Sequence, residues 1–335
     1  MIMQDLSIQT DFTKMLKIKY PIIAAPMFLV SNEDMVVEAS EAGAIGAFPA
    51  LNYRPIENFK KALENIKSRT KKPVCLNIIV NKSNVRQNDD LKLALDAGVE
   101  MFITSLGNPK KVIEEAHKNG AKVFCDVTNL DHALKVQDLG ADGVIAVGTG
   151  AGGHAGPISP IVLIPWLKEK LKIPIIAAGG VANGATMAAM LALGASGVSV
   201  GTRFITSKEA NVDESYKNAI LHATPEDIVL TTKVSGTPAN VINTDYVKKT
   251  GRSLPAVVEL LKNMPMTKKY VVPLIHLAGM RALEKAATKP TWKTVWSAGQ
   301  GVGLIKEVLP CKEIINQMVK EYLETVQRMP HGDRS

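Results

Sequence analysis

One glycine-rich loop carries the side chain best suited to chemistry. It reads Gly-Thr-Gly-Ala-Gly-Gly-His-Ala-Gly-Pro from Gly148 to Pro157 and follows the apolar run Gly143 to Val147. Because glycine has no Cβ atom, the backbone amides of such a loop can approach a ligand closely. An imidazole titrates near about pH 6.5, so His154 can bind an anion or take up a proton near neutral pH. The loop predicts a binding surface with His154 as its titratable group; a solvated loop histidine is the alternative.

Two further glycine clusters predict an anion site. Each follows an apolar run and precedes a helical segment, where backbone amides and the positive end of the helix dipole favour a phosphate monoester. A tight reversal of the chain would explain either cluster alone. Phosphate sites recur, however, after the seventh and eighth strands of eight-stranded α/β barrels. The residues concerned are Gly179, Gly180, Ser199, Val200, Gly201 and Thr202, whose hydroxyl adds a donor.

Short apolar runs alternate with amphipathic segments over residues 22–201, as in βα units around a parallel sheet. Eight such runs predict an α/β fold of the (β/α)8 TIM-barrel class, in which chemistry gathers at the carboxyl ends of the strands. A doubly wound open sheet is the alternative, but the first run lacks the glycine fingerprint that such a sheet usually carries there. The predicted strands are Ile22 to Ala25, Ala44 to Phe48, Val74 to Ile79, Met101 to Thr104, Lys122 to Val127, Gly143 to Val147, Ile175 to Ala178 and Gly197 to Gly201. Glycines expected to end helices are Gly43, Gly98, Gly120, Gly140 and Gly194.

The alternation stops after Arg203, which predicts a division of the chain into three parts. Residues 1–207 form the barrel, residues 208–290 a smaller and mostly helical insertion or lid, and residues 291–335 a segment that returns to the site and ends in the helix Cys311 to Arg328. Within the insertion, His276 is expected to be a buried core histidine rather than a ligand.

The composition narrows the class of protein. The chain has 335 residues, 46% of them hydrophobic, and a formal net charge of +8. Its lysines are scattered among acids and only 5% of residues are aromatic, which argues against a nucleic-acid partner. No apolar run reaches the roughly 18 residues of a membrane span, and no export signal is evident. The three cysteines, Cys75, Cys125 and Cys311, lack metal-ligand spacing, so we expect reduced thiols, no bound metal and a cytoplasmic location.

Six motifs, taken together, resemble the FMN-dependent nitronate monooxygenases, formerly called 2-nitropropane dioxygenases. The resemblance covers nearly the whole chain and implies a TIM barrel that binds FMN non-covalently at the carboxyl ends of its strands. It also implies a helical lid near the C-terminus. The motifs are Ala24-Ala25-Pro26-Met27, Leu76-Asn77, Ala151 to Gly156, Ala178-Gly179-Gly180, Gly201 to Phe204 and Trp296 to Gly301.

The resemblance assigns roles to individual residues. His154 matches the active-site histidine of the family. Asp126 ends the fifth predicted strand, so we place it at the same mouth, where it could orient His154 or a ligand, although a helix cap would also explain it. The residues expected to hold FMN are Ala25, Pro26, Met27, Asn77, Asp126, Gly152, Gly153, Gly179, Gly180, Ser199, Val200, Gly201, Thr202, Gly299 and Gln300.

The implied reaction is the oxidative denitrification of alkyl nitronates, such as propionate 3-nitronate, by O2 to a carbonyl compound and nitrite. His154 would bind the anion or take a proton from a neutral nitroalkane. The expected partners are these small molecules, with neither a nucleic acid nor a membrane, and a homodimer is left open.

The sequence departs from the family's pattern at two positions, which leaves other reactions as alternatives. Many relatives carry a glutamine or glutamate where this chain has Val147, and a glutamate where it has Gly150. The same barrel and loop also occur in FMN-dependent NAD(P)H oxidoreductases of the enoyl-acyl-carrier-protein reductase and quinone reductase types, and fold alone does not separate these reactions. Further alternatives are a phosphate-binding barrel without flavin and a non-catalytic scaffold.

Overall fold

The computed structural model describes residues 6–81, 84–233, 238–253, 271, 274 and 295–330. Eight parallel strands form a closed barrel, which confirms the predicted (β/α)8 class. β9 pairs with β1, with Ile22 opposite Val198, and this pairing closes the ring. The barrel strands are β1 (Ile22–Ala24), β2 (Ile45–Pro49), β3 (Cys75–Ile79), β4 (Met101–Ser105), β5 (Lys122–Val127), β6 (Gly143–Val147), β8 (Ile175–Ala178) and β9 (Gly197–Val200); β7 (Gly153–His154) lies outside the ring.

Helices connect the strands in the predicted order. All five glycines expected to end helices have positive φ angles, between 73° and 103°, a conformation that glycine adopts without a Cβ penalty. In the described residues the helices are α1 (Asp11–Leu16), α2 (Glu33–Glu41), α3 (Ile56–Arg69), α4 (Gln87–Asp96), α5 (Lys110–Lys118), α6 (Leu130–Asp138), α7 (Pro160–Lys170), α8 (Gly184–Ala192), α9 (Thr202–Ile205), α10 (Glu214–His222), α11 (Asp245–Thr250) and α12 (Cys311–Arg328).

The barrel interior is packed with apolar side chains and closed at the amino ends of the strands. Ile23, Ile103 and Ile176 are among the buried residues that fill it. Helix α1 covers the lower end, where the Phe12 ring meets the Phe124 ring edge-on with centroids 5.5 Å apart. Because this end is filled, a ligand can reach the barrel only at the carboxyl ends of the strands.

A small antiparallel sheet lies beyond the barrel. β10 (Ile228–Thr231) pairs with β11 (Ala239–Ile242), and β11 pairs with β7. No strand was predicted in residues 208–290, because these strands are short and the pairing of β11 with β7 joins residues far apart in the chain. Gly153 and His154 were expected in an irregular loop, whereas they pair with Asn240 and Ala239. His276 lies outside the described residues.

Helix α12 packs against α8 and α2 and secures the C-terminal part of the chain to the barrel. The α8 and α12 backbones approach so closely that a Cβ atom on Gly184 would lie 2.2 Å from the carbonyl oxygen of Met318. The Gly184 amide also donates to Glu321 Oε2 at 2.7 Å, so the start of α8 is capped from α12.

Candidate functional site

Side chains of neighbouring loops hold the segment that follows β1 at the barrel mouth. Ser31 Oγ accepts from the Met27 amide at 2.9 Å and donates to the Ala25 carbonyl at 3.0 Å. Asn52 donates to the Met27 carbonyl at 3.0 Å. A Cβ on Gly201 would lie 3.6 Å from Met27 Sδ, so the segment from Ala25 to Met27 adjoins the end of β9.

The histidine loop is fixed from outside the barrel by β11. Asn240 is buried, and its Nδ2 donates to the carbonyls of Thr149 and Ala151, each at 2.8 Å. The pairing of β7 with β11 holds Gly153 and His154, and the His154 side chain is exposed. The loop is therefore positioned by a strand about 90 residues later in the chain.

The C-terminal segment returns to the same loop through close glycine contacts. The Gln300 amide donates to the Gly150 carbonyl at 3.1 Å, and the Gly299 amide donates to Thr202 Oγ1 at 2.9 Å. A Cβ on Gly299 would lie 2.4 Å from the Gly150 carbonyl oxygen, and one on Gly152 would lie 2.8 Å from the Gly299 nitrogen. These glycines let the two backbones meet, and they bring Gly152, Gly299 and Gln300 beside Thr202.

The preceding part of this segment is anchored by packing. The Trp296 ring stacks on Tyr216 with centroids 5.3 Å apart and planes 8° apart. The Tyr216 hydroxyl donates to the Ser297 carbonyl at 2.5 Å, and the Ile242 amide donates to the Trp296 carbonyl at 2.8 Å. The return segment is thus joined to α10 and β11 before it reaches the mouth.

Three backbone amides after β8 and β9, named here the anion cradle, are candidates for binding an anion. The amides of Val181, Gly201 and Thr202 donate to no acceptor in the described part of the chain. Their donors suit a phosphate group, the part of FMN that the resemblance places here. The Gly180 amide is already used, since it donates to the Gly150 carbonyl at 3.2 Å.

The start of α8 is capped by side chains of the protein itself. The Glu321 carboxylate binds the Gly184 amide, and Asn183 Oδ1 accepts from the Thr186 amide at 2.9 Å. The Glu321 carboxylate already places a negative charge at the positive end of the α8 dipole.

A hydrogen-bonded chain crosses the ends of β3, β4 and β5. Asn77 Nδ2 donates to Ser105 Oγ at 2.8 Å, and Ser105 Oγ donates to Asp126 Oδ2 at 2.6 Å. Asp126 is exposed to the mouth, yet the surrounding walls remove enough water to raise its pKa to about 6. The bond from Ser105 acts in the opposite sense and lowers that pKa. Asp126 thus titrates near neutral pH in the same mouth as His154.

The comparisons with known proteins decide the family. A family model described as nitronate monooxygenase matches residues 9–92 and 83–321. The chain belongs to the nitronate monooxygenase family. This confirms the resemblance, and it makes the protein a flavin-dependent oxidoreductase that acts on a small molecule.

The proteins that this chain is similar to differ in the reactions for which they are named. One similar protein is a (3aS,4S,5R,7aS)-5-hydroxy-7a-methyl-1-oxo-octahydro-1H-indene-4-carboxyl-CoA dehydrogenase of Rhodococcus jostii. The two sequences are 28% identical, and the alignment covers 96% of this chain and 98% of that protein. A probable nitronate monooxygenase of Staphylococcus saprophyticus is 26% identical over 96% of this chain and 100% of its own. FabK from Thermotoga maritima is 33% identical with a TM-score of 0.83, covering 96% of this chain and 98% of its own.

Two polar residues of the site were not among those predicted. Ser105 and Asn240 act through side-chain hydrogen bonds, and no glycine or histidine motif marks them in the sequence. Ser105 comes beside Asp126 only through the register of β4 and β5, in which Thr104 pairs with Cys125. The roles given to the predicted residues stay predictions.

Of the helices that the structure describes, none combines the length and the apolar composition that a membrane span needs.

Proposed function

We propose that the protein is an FMN-dependent enzyme that oxidises alkyl nitronates, such as propionate 3-nitronate, with O2 to a carbonyl compound and nitrite. The observation that carries the proposal is the position of His154. Its side chain is exposed on β7, and Gln300 of the C-terminal segment contacts the same glycine-rich loop at the barrel mouth. Membership of the nitronate monooxygenase family supports the reaction.

The anion cradle supports FMN as the flavin. The amides of Val181, Gly201 and Thr202 would hold its phosphate, and the Thr202 hydroxyl, which accepts from Gly299, keeps its own hydrogen to donate. By resemblance, Asn77 and the pair Gly152 and Gly153 would lie along the ring. When bound, FMN supplies the electron acceptor and the reaction with O2 that no side chain can provide.

The chain's own residues would bind and enclose the substrate. A protonated imidazole at His154 would attract the negative nitro group of a nitronate. We also propose that residues 208–290 act as a lid over the barrel of residues 1–207, and that residues 291–335 close the site. The contacts of β11 with β7 and of Gly299 with Thr202 support this division.

A second candidate is a reaction on an acyl thioester with a nicotinamide as the second substrate. Its support comes from two nearly full-length relatives, FabK and the indene-carboxyl-CoA dehydrogenase. Gly150, which stands where many nitronate monooxygenases have glutamate, gives no reason to prefer either reaction.

Anaerobic spectroscopy of the purified protein separates the two candidates. Propionate 3-nitronate should change the flavin absorbance within the mixing time, NADH should leave it unchanged, and admission of O2 should release nitrite. Rapid bleaching by NADH or NADPH, with no response to the nitronate, would instead assign the protein to the reductases. A colourless protein that takes up no FMN would contradict both.

A further inference from the structure

Arg54 lies beside the segment that the resemblance places along the flavin ring. Its Cζ atom stands 5.6 Å from the centroid of the Phe28 ring, in a cation–π contact. Phe28 directly follows Met27, the last residue of the segment from Ala25 to Met27, and consecutive Cα atoms are about 3.8 Å apart. The guanidinium of Arg54 is therefore held at the barrel mouth, next to the site proposed for FMN and its substrate.

Hydrogen bonds between neighbouring loops fix the backbone beside this contact. The Leu29 amide donates to Asn52 Oδ1 at 2.9 Å, which joins the loop after β1 to the loop after β2. Arg86 Nη1 donates to the Tyr53 carbonyl at 2.8 Å, which joins the loop after β2 to the loop after β3. Arg54 is thus presented from a braced loop, and its guanidinium loses less conformational freedom when a ligand binds.

No carboxylate of the described residues neutralises the charge of Arg54. Its side chain is exposed and forms no salt bridge or hydrogen bond with them. At the start of the nearby helix α2, Asp34 Oδ1 accepts from Arg69 at 2.7 Å and Glu33 Oε2 accepts from Asn65. A cation–π contact holds the guanidinium without a hydrogen-bond acceptor, so the N–H groups of Arg54 stay available to an oxyanion.

We propose that Arg54 determines specificity by binding a second anionic group of the substrate, remote from the reacting carbon. The planar guanidinium fork matches two oxygens of a carboxylate or a phosphate. The inference rests on the proposed function, in which His154 binds the nitro end of a nitronate. It narrows the substrate class to nitronates with a second oxyanion, such as the carboxylate of propionate 3-nitronate. In the second candidate reaction the same group would be a phosphate of the thioester carrier.

Such a contact acts on binding rather than on the chemical step. The remote oxyanion keeps its charge when the nitronate is oxidised, so Arg54 would stabilise the ground state and the transition state equally. Loss of the contact should therefore raise KM and leave kcat unchanged. Lysine would replace arginine only in part, because an ammonium group lacks the fork.

Isothermal titration calorimetry measures this contact without turnover. The flavin-loaded protein is titrated anaerobically with 3-nitropropionate and with 1-nitropropane, which has a methyl group in place of the carboxylate. We expect the wild type to bind 3-nitropropionate about 10-fold more tightly than 1-nitropropane. Arg54→Gln should raise the Kd of 3-nitropropionate by about 10-fold and leave that of 1-nitropropane unchanged, and Arg54→Lys should lie between.

Further variants separate this role from a structural one. Phe28→Leu removes the ring that holds the guanidinium and should raise the Kd of 3-nitropropionate by about 2- to 5-fold, with 1-nitropropane unchanged. Arg328→Gln, at an exposed arginine that ends α12, is the matched control and should bind both ligands as the wild type does. A variant that only disturbs the fold would weaken both ligands alike. Higher salt should reduce the wild-type preference, because it screens exposed charges.

Nitrite release then tests the effect on turnover. In Arg54→Gln the KM for propionate 3-nitronate should rise by about 10-fold with kcat unchanged. With propyl-1-nitronate, which has no second anionic group, both constants should match those of the wild type.

Coenzyme A in the same titrations distinguishes the two sources of the oxyanion. Weaker binding of 3-nitropropionate by Arg54→Gln would assign the contact to the carboxylate of a small nitronate, and weaker binding of coenzyme A alone would assign it to a thioester carrier. Unchanged affinity for both ligands would overturn the role of Arg54. Wild-type protein that binds through Arg54 but releases no nitrite would refute the proposed oxidation and leave this role standing. Nitrite release that Arg54→Gln alters with neither substrate would do the reverse.

Discussion

The chemistry of single residues at the mouth depends on how much water their surroundings leave them. Asp126 has solvent on one side and a hydrogen-bonded neighbour on the other, and its raised pKa measures the balance between dehydration and the Ser105 bond. Because the folded state holds the Asp126 proton more tightly than the unfolded chain does, ionisation of Asp126 lowers the stability of the fold.

The raised pKa of Asp126 predicts a pH-dependent stability difference for Asp126→Asn. In the folded chain the Asp126 pKa is about 6, against about 4 when unfolded, so the folded state holds the proton more tightly and stability falls as pH rises from about 4 to 6. Asparagine cannot ionise. We expect the variant to have a higher Tm than wild type at pH 8 and the same difference to shrink below pH 4, as measured by circular dichroism. A Tm difference independent of pH would contradict the raised pKa.

His154 provides a second prediction for a single residue. His154→Asn removes the cation proposed to hold the nitronate, so kcat/KM for propionate 3-nitronate should fall by about 10- to 100-fold. The protein should keep its bound flavin, because the side chain is exposed and β7 is held through its backbone. His132→Asn, at an exposed position on α6, is the control. Full activity of His154→Asn with the nitronate would remove the histidine from the proposal.

At the scale of elements, the barrel was predictable because its signals are local. Each barrel strand is a short apolar run, and each helix that follows ends at a glycine or a change of pattern within a few residues. The predicted strands match the structure to within one residue at either end. C-terminal helix α12 matches at both ends, from Cys311 to Arg328.

The small antiparallel sheet and the hydrogen-bonded chain Asn77–Ser105–Asp126 could not be predicted, because their contacts join residues far apart in the sequence. β7 has two residues, and it gains its partner only when β11, about 85 residues later, folds over it. Ser105 and Asp126 meet because adjacent strands happen to end in register, which periodicity does not reveal. The glycine and histidine motifs located the mouth, whereas its hydrogen bonds needed the tertiary structure.

The contact between α8 and α12 gives a prediction at the element scale. Gly184→Ala would place a methyl group against the Met318 carbonyl and the Tyr322 amide, at 2.2 Å and 2.3 Å, so the helices must separate. Such overpacking costs about 1–3 kcal/mol, and we expect the urea midpoint of unfolding to fall accordingly. Ala189→Ser, on the exposed side of α8, should change stability by less than about 0.5 kcal/mol. An unchanged urea midpoint in Gly184→Ala would show that α12 can move away from α8 without loss of stability.

At the scale of the whole molecule, three distant parts of the chain meet at the carboxyl end of the barrel: the histidine loop, β11 and the C-terminal segment. β11 holds the histidine loop, and the C-terminal segment binds both the loop and Thr202. Helix α1 closes the other end. A ligand seated among these parts would contact all of them at once. Its binding should therefore stabilise the folded chain as a unit.

Thermal unfolding of flavin-free protein tests this coupling and the anion cradle together. At a ligand concentration 100 times Kd, binding to the folded state adds about 2.7 kcal/mol, which for a chain of this size raises Tm by about 4 °C. Riboflavin has the same ring as FMN but no phosphate for the amides of Val181, Gly201 and Thr202 to bind. At equal concentration it should therefore raise Tm much less, and inorganic phosphate should reduce the effect of FMN by competition. Equal shifts with riboflavin and FMN would mean that the cradle binds no phosphate and that the ring contacts alone hold the flavin.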